Sequence, residues 1–212
     1  DDSEVTAGFM WQKTTRESKK YQLRGEILSF IPVEKNVEVM LVTITNTGRM
    51  AQTVTPTAAI PLYGRSADNI RDHRHVTSLL HRIETTDIGV LVTPTLSFDE
   101  RGHQVNHMTY YCVGWSGNGE KPVDFYPTAE DFVGEGGNFE RPYAIVKNAE
   151  GVKAGTRIEG LEAVGGLHFS EVTLEPEEEC SYLIFTGITE DIQEIRNLSK
   201  TYTTREMVLE EL

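Results

Sequence analysis

The chain has 212 residues, is 38% hydrophobic and 25% charged, and sets 20 Lys and Arg against 33 Asp and Glu, for a formal net charge of −13. That length holds one large domain or two small ones, with enough apolar residues for a substantial core. The acidic balance excludes nucleic-acid binding through the phosphate backbone and disfavours anionic membrane surfaces. No apolar run approaches the roughly 18 residues of a membrane-spanning helix. An acidic shell suits a protein handling neutral ligands, and a cytoplasmic location is expected.

The opening DDSEVTAGFM has neither an initiator Met nor a signal peptide, and reads as a processed or excised start. The first strand signal is Gly25–Ile31, closed by Pro32. Asn36–Asn46 follows, with Val37, Val39 and Leu41 on one face and Met40, Val42 and Ile44 on the other. Both faces are apolar, which predicts a central strand covered on both sides. After the turn at Asn46–Gly48 comes a β-branched stretch, Thr53–Leu62. Further strands are expected over Gly89–Thr95, Val105–Trp115, Ala144–Lys147, Ala163–Leu174 and Cys180–Ile188, with prolines punctuating the connections.

Helical signals are few. Thr128–Val133 suits a single turn. Thr189–Leu198 places Ile188, Ile192, Ile195 and Leu198 on one face, with Glu190 and Asp191 in the first turn. Thr203 and Glu206 have capping-box spacing, opening a helix that stops at Leu212 and suggests a continuation. The expected architecture is all-β: two antiparallel sheets packed face to face over residues 1–200, with short helices near the C-terminus and the start of a helical linker at 201–212. Cys112 and Cys180 sit in apolar strand-like runs and are expected to be buried, reduced thiols.

Against the acidic background, Gly64–Ile83 carries four Arg, three His and two Asp in twenty residues. Arg, Asp, Asn and His are the side chains that hold sugar hydroxyls and oxyanions. In Asp68–His75, Arg71 and Arg74 serve as planar donors, Asp72 orients one of them, and His73 and His75 donate or accept. Three readings stay open: a polyol or oxyanion site, a structural Arg–Asp network, and a metal site. The metal reading uses His73 and His75 on one face of a strand, and it lacks a third ligand at a sensible spacing. In Phe98–Tyr111, Asp99–Gly102 looks like a hairpin turn, and His107 reads as a packed or surface histidine. Trp115–Arg141 is a long Gly- and Pro-rich excursion carrying Trp115, Phe125, Tyr126, Phe132 and Phe139. It is either a binding loop or a loop pinned by its own aromatics. Within it, Glu135, Gly136 and Asn138 would let backbone and polar groups approach a sugar closely. No Ser/His/Asp elbow, CxxC pair, phosphate-binding Gly loop or HExxH is present.

NIRDHRHVTSLLHRI, PTLSFDERGHQVNHMTYY and FYPTAEDFVGEGGNFERP, in that order, resemble the N-terminal β-sandwich region of glycoside hydrolase family 94, formerly glycosyltransferase family 36. That family includes cellobiose, cellodextrin, chitobiose and 1,2-β-oligoglucan phosphorylases and the phosphorylase region of cyclic β-1,2-glucan synthases. The resemblance implies a β-supersandwich related to galactose mutarotase, followed in the family by a helical linker and an (α/α)6 barrel that carries the catalytic acid. It implies inverting phosphorolysis of a β-glucosidic bond in the parent chain, with inorganic phosphate as co-substrate and no other cofactor. Transferred to this chain, it leaves no catalytic residue and no metal. It implies sugar contacts at the rim by Arg71, Asp72, His73, Arg74, His75, Glu135, Gly136 and Asn138. The implied partners are a β-glucan oligosaccharide, the chain's own barrel domain and, in a homodimer, a second subunit. Two other readings are a free-standing carbohydrate-binding module and a mutarotase-type sugar 1-epimerase built around Asn106 and His107.

Overall fold

The computed structural model describes residues 2–33, 35–64, 74–99 and 102–212. Its main body is a nine-stranded antiparallel sheet in the order β1-β2-β3-β4-β16-β11-β8-β7-β13. The strands are β1 (Asp2–Gly8), β2 (Trp11–Ser18), β3 (Leu23–Phe30), β4 (Val37–Asn46), β7 (Arg82–Thr85), β8 (Gly89–Val92), β11 (Thr109–Ser116), β13 (Arg157–Glu159) and β16 (Glu179–Thr189). Register explains why the centre is apolar on both faces. Val39 and Val113 both pair with Phe185, and Leu41 and Trp115 both pair with Leu183, so these six side chains share one face. Met40 pairs with Ile184 and Val42 with Tyr182, and these point the other way.

The first face is covered by α4 (Ile192–Thr201) and α5 (Arg205–Glu210), which insert Ile195, Tyr202 and Val208 into its core. Trp115 stacks on Phe185 at 4.8 Å and Phe185 on Tyr202 at 5.4 Å. The Trp115 indole donates to the Tyr202 carbonyl at 2.8 Å, so the column is satisfied in its polar groups as well. Lys35 bonds both the Tyr202 hydroxyl and Glu211, tying the end of the chain to the start of β4.

The second face is covered by a three-stranded sheet, β12 (Asp124–Thr128), β14 (Ala163–His168) and β6 (Thr57–Leu62), in the order β12-β14-β6. Leu62, Phe125, Leu167 and Phe169 meet Ile83, Val90, Val92, Cys112 and Ile184 between the layers. The sheets approach closely at Gly165, where a Cβ would lie 2.2 Å from Cβ of Cys112. Both cysteines are free, and burial pushes the Cys112 thiol up to about 12, so it is inert there. The outer face of the small sheet is closed in turn by α2 (Ala129–Val133) and α3 (Tyr143–Lys147), with Tyr126, Phe132, Ala144 and Val164 forming a third cluster. The protein is therefore layered helix, large sheet, small sheet, helix. Two short ribbons, β9 (Leu96–Asp99) with β10 (Gly102–Val105) and β5 (Gln52–Val54) with β15 (Val172–Leu174), flank it, and α1 (Arg74–Ser78) precedes β7. No helix among the described residues is long and apolar enough to cross a membrane.

The all-β, two-sheet expectation holds, and several local expectations do not. Ala144–Lys147 is helical rather than extended, started at Pro142 and stopped by Asn148 in the left-handed region at φ 48°. Only Ala144 of that segment is buried; Tyr143, Ile145 and Val146 are exposed, so the β-branched character of Ile145 and Val146 serves no sheet. Thr53–Leu62 divides at Pro56, and Val105–Trp115 divides at residues 106–108. The final helix is capped by Thr204 on Met207 N, one residue after the Thr203–Glu206 spacing. Asp191 caps α4, which leaves Ile192 43% exposed instead of buried with Ile195. Cys180 is only half-buried. Strands β1 and β2 went unread because their edge ribbon is exposed along much of its length, and no burial imposes an alternating pattern.

Two stability measurements probe this layering. Gly165→Ala is expected to lose about 1–3 kcal/mol in chemical denaturation through overpacking, whereas Gly25→Ala, with open space around its Cβ, should change stability little. Equal effects at both positions would contradict the close sheet approach. Removing residues 201–212 strips Tyr202 and Val208 from the first core, and the shortened chain should melt well below the parent, because truncating a single buried aromatic already costs about 3–5 kcal/mol.

Candidate functional site: a cleft between α1 and the turn after α2

The polar run begins where β6 leaves the small sheet, and it returns through α1 into β7. The end of α1 is closed by His81 N donating to Ser78 O at 2.9 Å. His81 itself is 3% exposed. Its Nδ1 lies 3.1 Å from the Leu161 carbonyl, so the ring donates from Nδ1 and carries its lone pair on Nε2. Burial lowers its pKa, against smaller raising effects from the Leu161 and Gly64 backbone and from Glu162, and the imidazole stays neutral. A Cβ at Gly64 would lie 3.2 Å from Nε2, so the bare backbone of Gly64 allows this imidazole its place. Thr77 and Ser78 are buried beside it.

The second wall comes from α2. Thr128 caps it by accepting from Asp131 N at 3.0 Å and donating to the Asp131 carboxylate at 2.7 Å. The helix ends at Gly134, whose φ of 78° only glycine adopts without strain, and whose N–H returns to Glu130 O. The chain then turns through Glu135 and Gly136, both exposed. Asn138 Oδ1 accepts from Glu140 N and Arg141 N at 3.0 and 3.1 Å. That Asx turn presents Phe139, which is 50% exposed and leans on Phe132 at 5.8 Å; Phe132 in turn leans on Tyr126 at 5.8 Å. An aromatic relay thus runs from the third core cluster out to one half-exposed ring.

The two regions meet. Thr77, Ser78 and His81 line one small cleft of about 40 Å3 with Phe139, Ala129 and Glu162. Thr77, Ser78 and His81 belong to the Gly64–Ile83 run and Phe139 to the Trp115–Arg141 excursion, but none of these lining residues is among the expected sugar contacts Arg71, Asp72, His73, Arg74, His75, Glu135, Gly136 and Asn138. Of the proposed residues, Arg71, Asp72 and His73 lie outside the described residues, as do the side chains of Arg74 and His75, whose backbone opens α1. The metal reading assumed a strand through His75, and that residue is helical. Among the described residues no three His, Cys, Asp or Glu side chains converge on a metal position. Glu135 and Gly136 are on the exposed turn, and Asn138 has committed its carbonyl oxygen to the backbone, leaving its amide N–H groups to meet a ligand. The residues not proposed beforehand are His81, Glu162 and Phe139 as cleft walls. The signal for Phe139 was its place between an Asn and a Pro-terminated turn; His81 carried none beyond its membership of the basic run.

Much of the long excursion is not a loop: Trp115 ends β11, Phe125 and Tyr126 lie in β12 and Phe132 in α2, and all four are buried in the core clusters. His107 is exposed, and the neighbouring Asn106 Oδ1 accepts from Met108 N at 2.7 Å. Asp124 and His168, cross-strand partners on β12 and β14, pair at 2.6 Å, with Lys153 3.8 Å from the other Asp124 oxygen; this fastens the small sheet. A larger cleft of about 430 Å3 beside β15 and β16 carries Glu120, Glu171, Glu178 and Glu179, a lining that repels phosphate.

No curated protein matches the chain. Solved structures with some likeness include a polysaccharide lyase, 12% identical with a TM-score of 0.45, covering 92% of this chain and 23% of that one. Another is a putative kojibiose phosphorylase from human microbiome, 9% identical with a TM-score of 0.43, covering 95% of this chain and 22% of that one. The chain thus spans less than a quarter of either. The sequence model described as glycosyl hydrolase 94, supersandwich domain, matches residues 1–205. With nearly the whole chain matched, and with the two packed antiparallel sheets already described, this chain belongs to the glycosyl hydrolase 94 supersandwich domain family.

Proposed function

We propose that this chain is the N-terminal, non-catalytic domain of an inverting β-glucoside phosphorylase or glycosyltransferase that acts on β-linked glucosyl disaccharides or oligosaccharides. The observation that carries the reading is the family match over residues 1–205. In the proposed reaction a carboxylic acid on a separate (α/α)6 barrel protonates the leaving oxygen. Inorganic phosphate attacks the anomeric carbon from the opposite face, and the product from a β-glucoside is the α-sugar phosphate. None of those steps uses a residue of this chain. Its part is to support the barrel, in a cytoplasmic enzyme with a second subunit where it dimerises, and to border the sugar site.

The cleft between α1 and the turn after α2 is the surface we place at that border. Phe139 offers an apolar face for a pyranose ring, and Asn138 and Glu135, close to it in the chain, supply an amide and a carboxylate for hydroxyls in this reading. In this reading Arg71, Asp72, His73, Arg74, His75 and Gly136 also contact the sugar. A free-standing binding module remains the competing account, and it differs in requiring glucan retention by residues 1–212 alone.

Two outcomes are expected. The full-length gene product should release α-glucose 1-phosphate from β-glucosides and inorganic phosphate, while residues 1–212 alone release none. Phosphorolysis by residues 1–212 unaided, or glucan retention by them in affinity electrophoresis together with an inactive full-length product, would overturn the proposal. In the full-length enzyme, Phe139→Ala should raise the KM for the oligosaccharide roughly fivefold, the equivalent of about 1 kcal/mol of ring stacking, with kcat little changed.

A further inference from the structure

A different cleft, of about 280 Å3, lies where α4 passes the start of β4, on the face of the large sheet away from the small one. That volume is close to the lower end of small-molecule sites. One of its walls is Tyr111, whose side chain belongs to the first core and is only 4% exposed. Burial, reinforced by the Glu194 carboxylate, pushes its hydroxyl up to about 12, so it is a neutral donor and acceptor at any physiological pH. No hydrogen bond to this hydroxyl is made among the described residues. Gly187 gives it room: a Cβ there would lie 2.4 Å from the phenolic oxygen. The hydroxyl is not itself a buried orphan: the ring is buried and the oxygen opens into the cleft, where solvent or a ligand hydroxyl completes it.

The rim supplies what such a ligand would need. Asn36, Asn197 and Thr201 line the cleft, are exposed, and make no side-chain hydrogen bond among the described residues. Carboxamides and hydroxyls both donate and accept, as sugar hydroxyls do. One Glu194 oxygen accepts from Thr189 Oγ1 at 2.5 Å, leaving the other for a ligand hydroxyl. Lys35 also borders the cleft, but its ammonium is taken by Tyr202 and Glu211, so no free cation offsets Glu194. The lining therefore opposes phosphate and other anions and is too polar for an apolar ligand.

We infer that this cleft is a second sugar subsite, taking one neutral hexopyranose unit, with Tyr111, Glu194, Asn36, Asn197 and Thr201 meeting its hydroxyls. The inference comes from this lining alone and stands apart from the Phe139 cleft and from the proposed reaction.

Titration of the 212-residue protein with glucose, cellobiose and, separately, inorganic phosphate, followed by 1H–15N NMR, tests it. The sugars should shift the side-chain amides of Asn36 and Asn197 and the backbone amide of Glu194; phosphate should not. Asn197→Ala, on the exposed face of α4, should keep the parent melting temperature and weaken sugar binding about 3- to 10-fold, as should Tyr111→Phe. Absence of shifts at these amides, shifts confined to residues around Phe139, equal response to phosphate, or parental affinity in Asn197→Ala would each overturn the subsite. None of these outcomes bears on phosphorolysis by the full-length product, so the two proposals fail separately.

Discussion

The structure depends on the pairing of three long strands, β4, β16 and β11, that are apolar on both faces. Such a sheet cannot stand with either face in water, because each uncovered Val, Leu or Phe forfeits about 1.5–3 kcal/mol of burial. Two covers follow. The stacked Trp115, Phe185 and Tyr202 column recruits α4 and α5 on one side. The small sheet covers the other, held at the distance that Gly165 permits over Cys112. The small sheet then has an outer face of its own, and α2 and α3 close it.

That nesting decides where polar chemistry can appear. Buried layers exclude it, so the Arg-, His- and Asn-bearing segments are displaced to the ends and margins of the sheets. The cleft between α1 and the turn after α2 forms at one such margin, where the end of β6, α1 and the chain around α2 line one space. Its rigid members are those anchored in a core: His81 through its buried ring and Phe139 through Phe132 and Tyr126. The cleft lined by Tyr111 arises by the same logic on the opposite face, where a core tyrosine ends in a hydroxyl that the helix cover does not reach. Both are positions at which a rigid body presents hydrogen-bonding groups. That arrangement suits a supporting domain of a carbohydrate-active enzyme.

How much of this was legible in the chain varies with burial. Strands β3, β4, β8, β11 and β16 were readable because a face turned to a core must be apolar at every second position, and the sequence keeps that record. The β1–β2 ribbon is largely exposed and keeps no such record. The α3 segment misled because Ile145 and Val146 favour strands intrinsically, while its place outside the small sheet asks only for one small buried residue, Ala144.

By itself the sequence determined the fold class, the central strands, the short capped helices and the two segments rich in sugar-holding side chains, together with the family whose pattern they follow. All of these are local signals: periodicity, caps, turns and contiguous motifs. The tertiary structure alone decided which segments share a cleft, that Asn138 uses its oxygen on its own backbone, and that Tyr111 is buried to its ring and open at its hydroxyl. Those facts turn on residues distant in the chain lining one space, such as Ser78 and Phe139 or Tyr111 and Asn197, and no local pattern encodes the meeting of two layers.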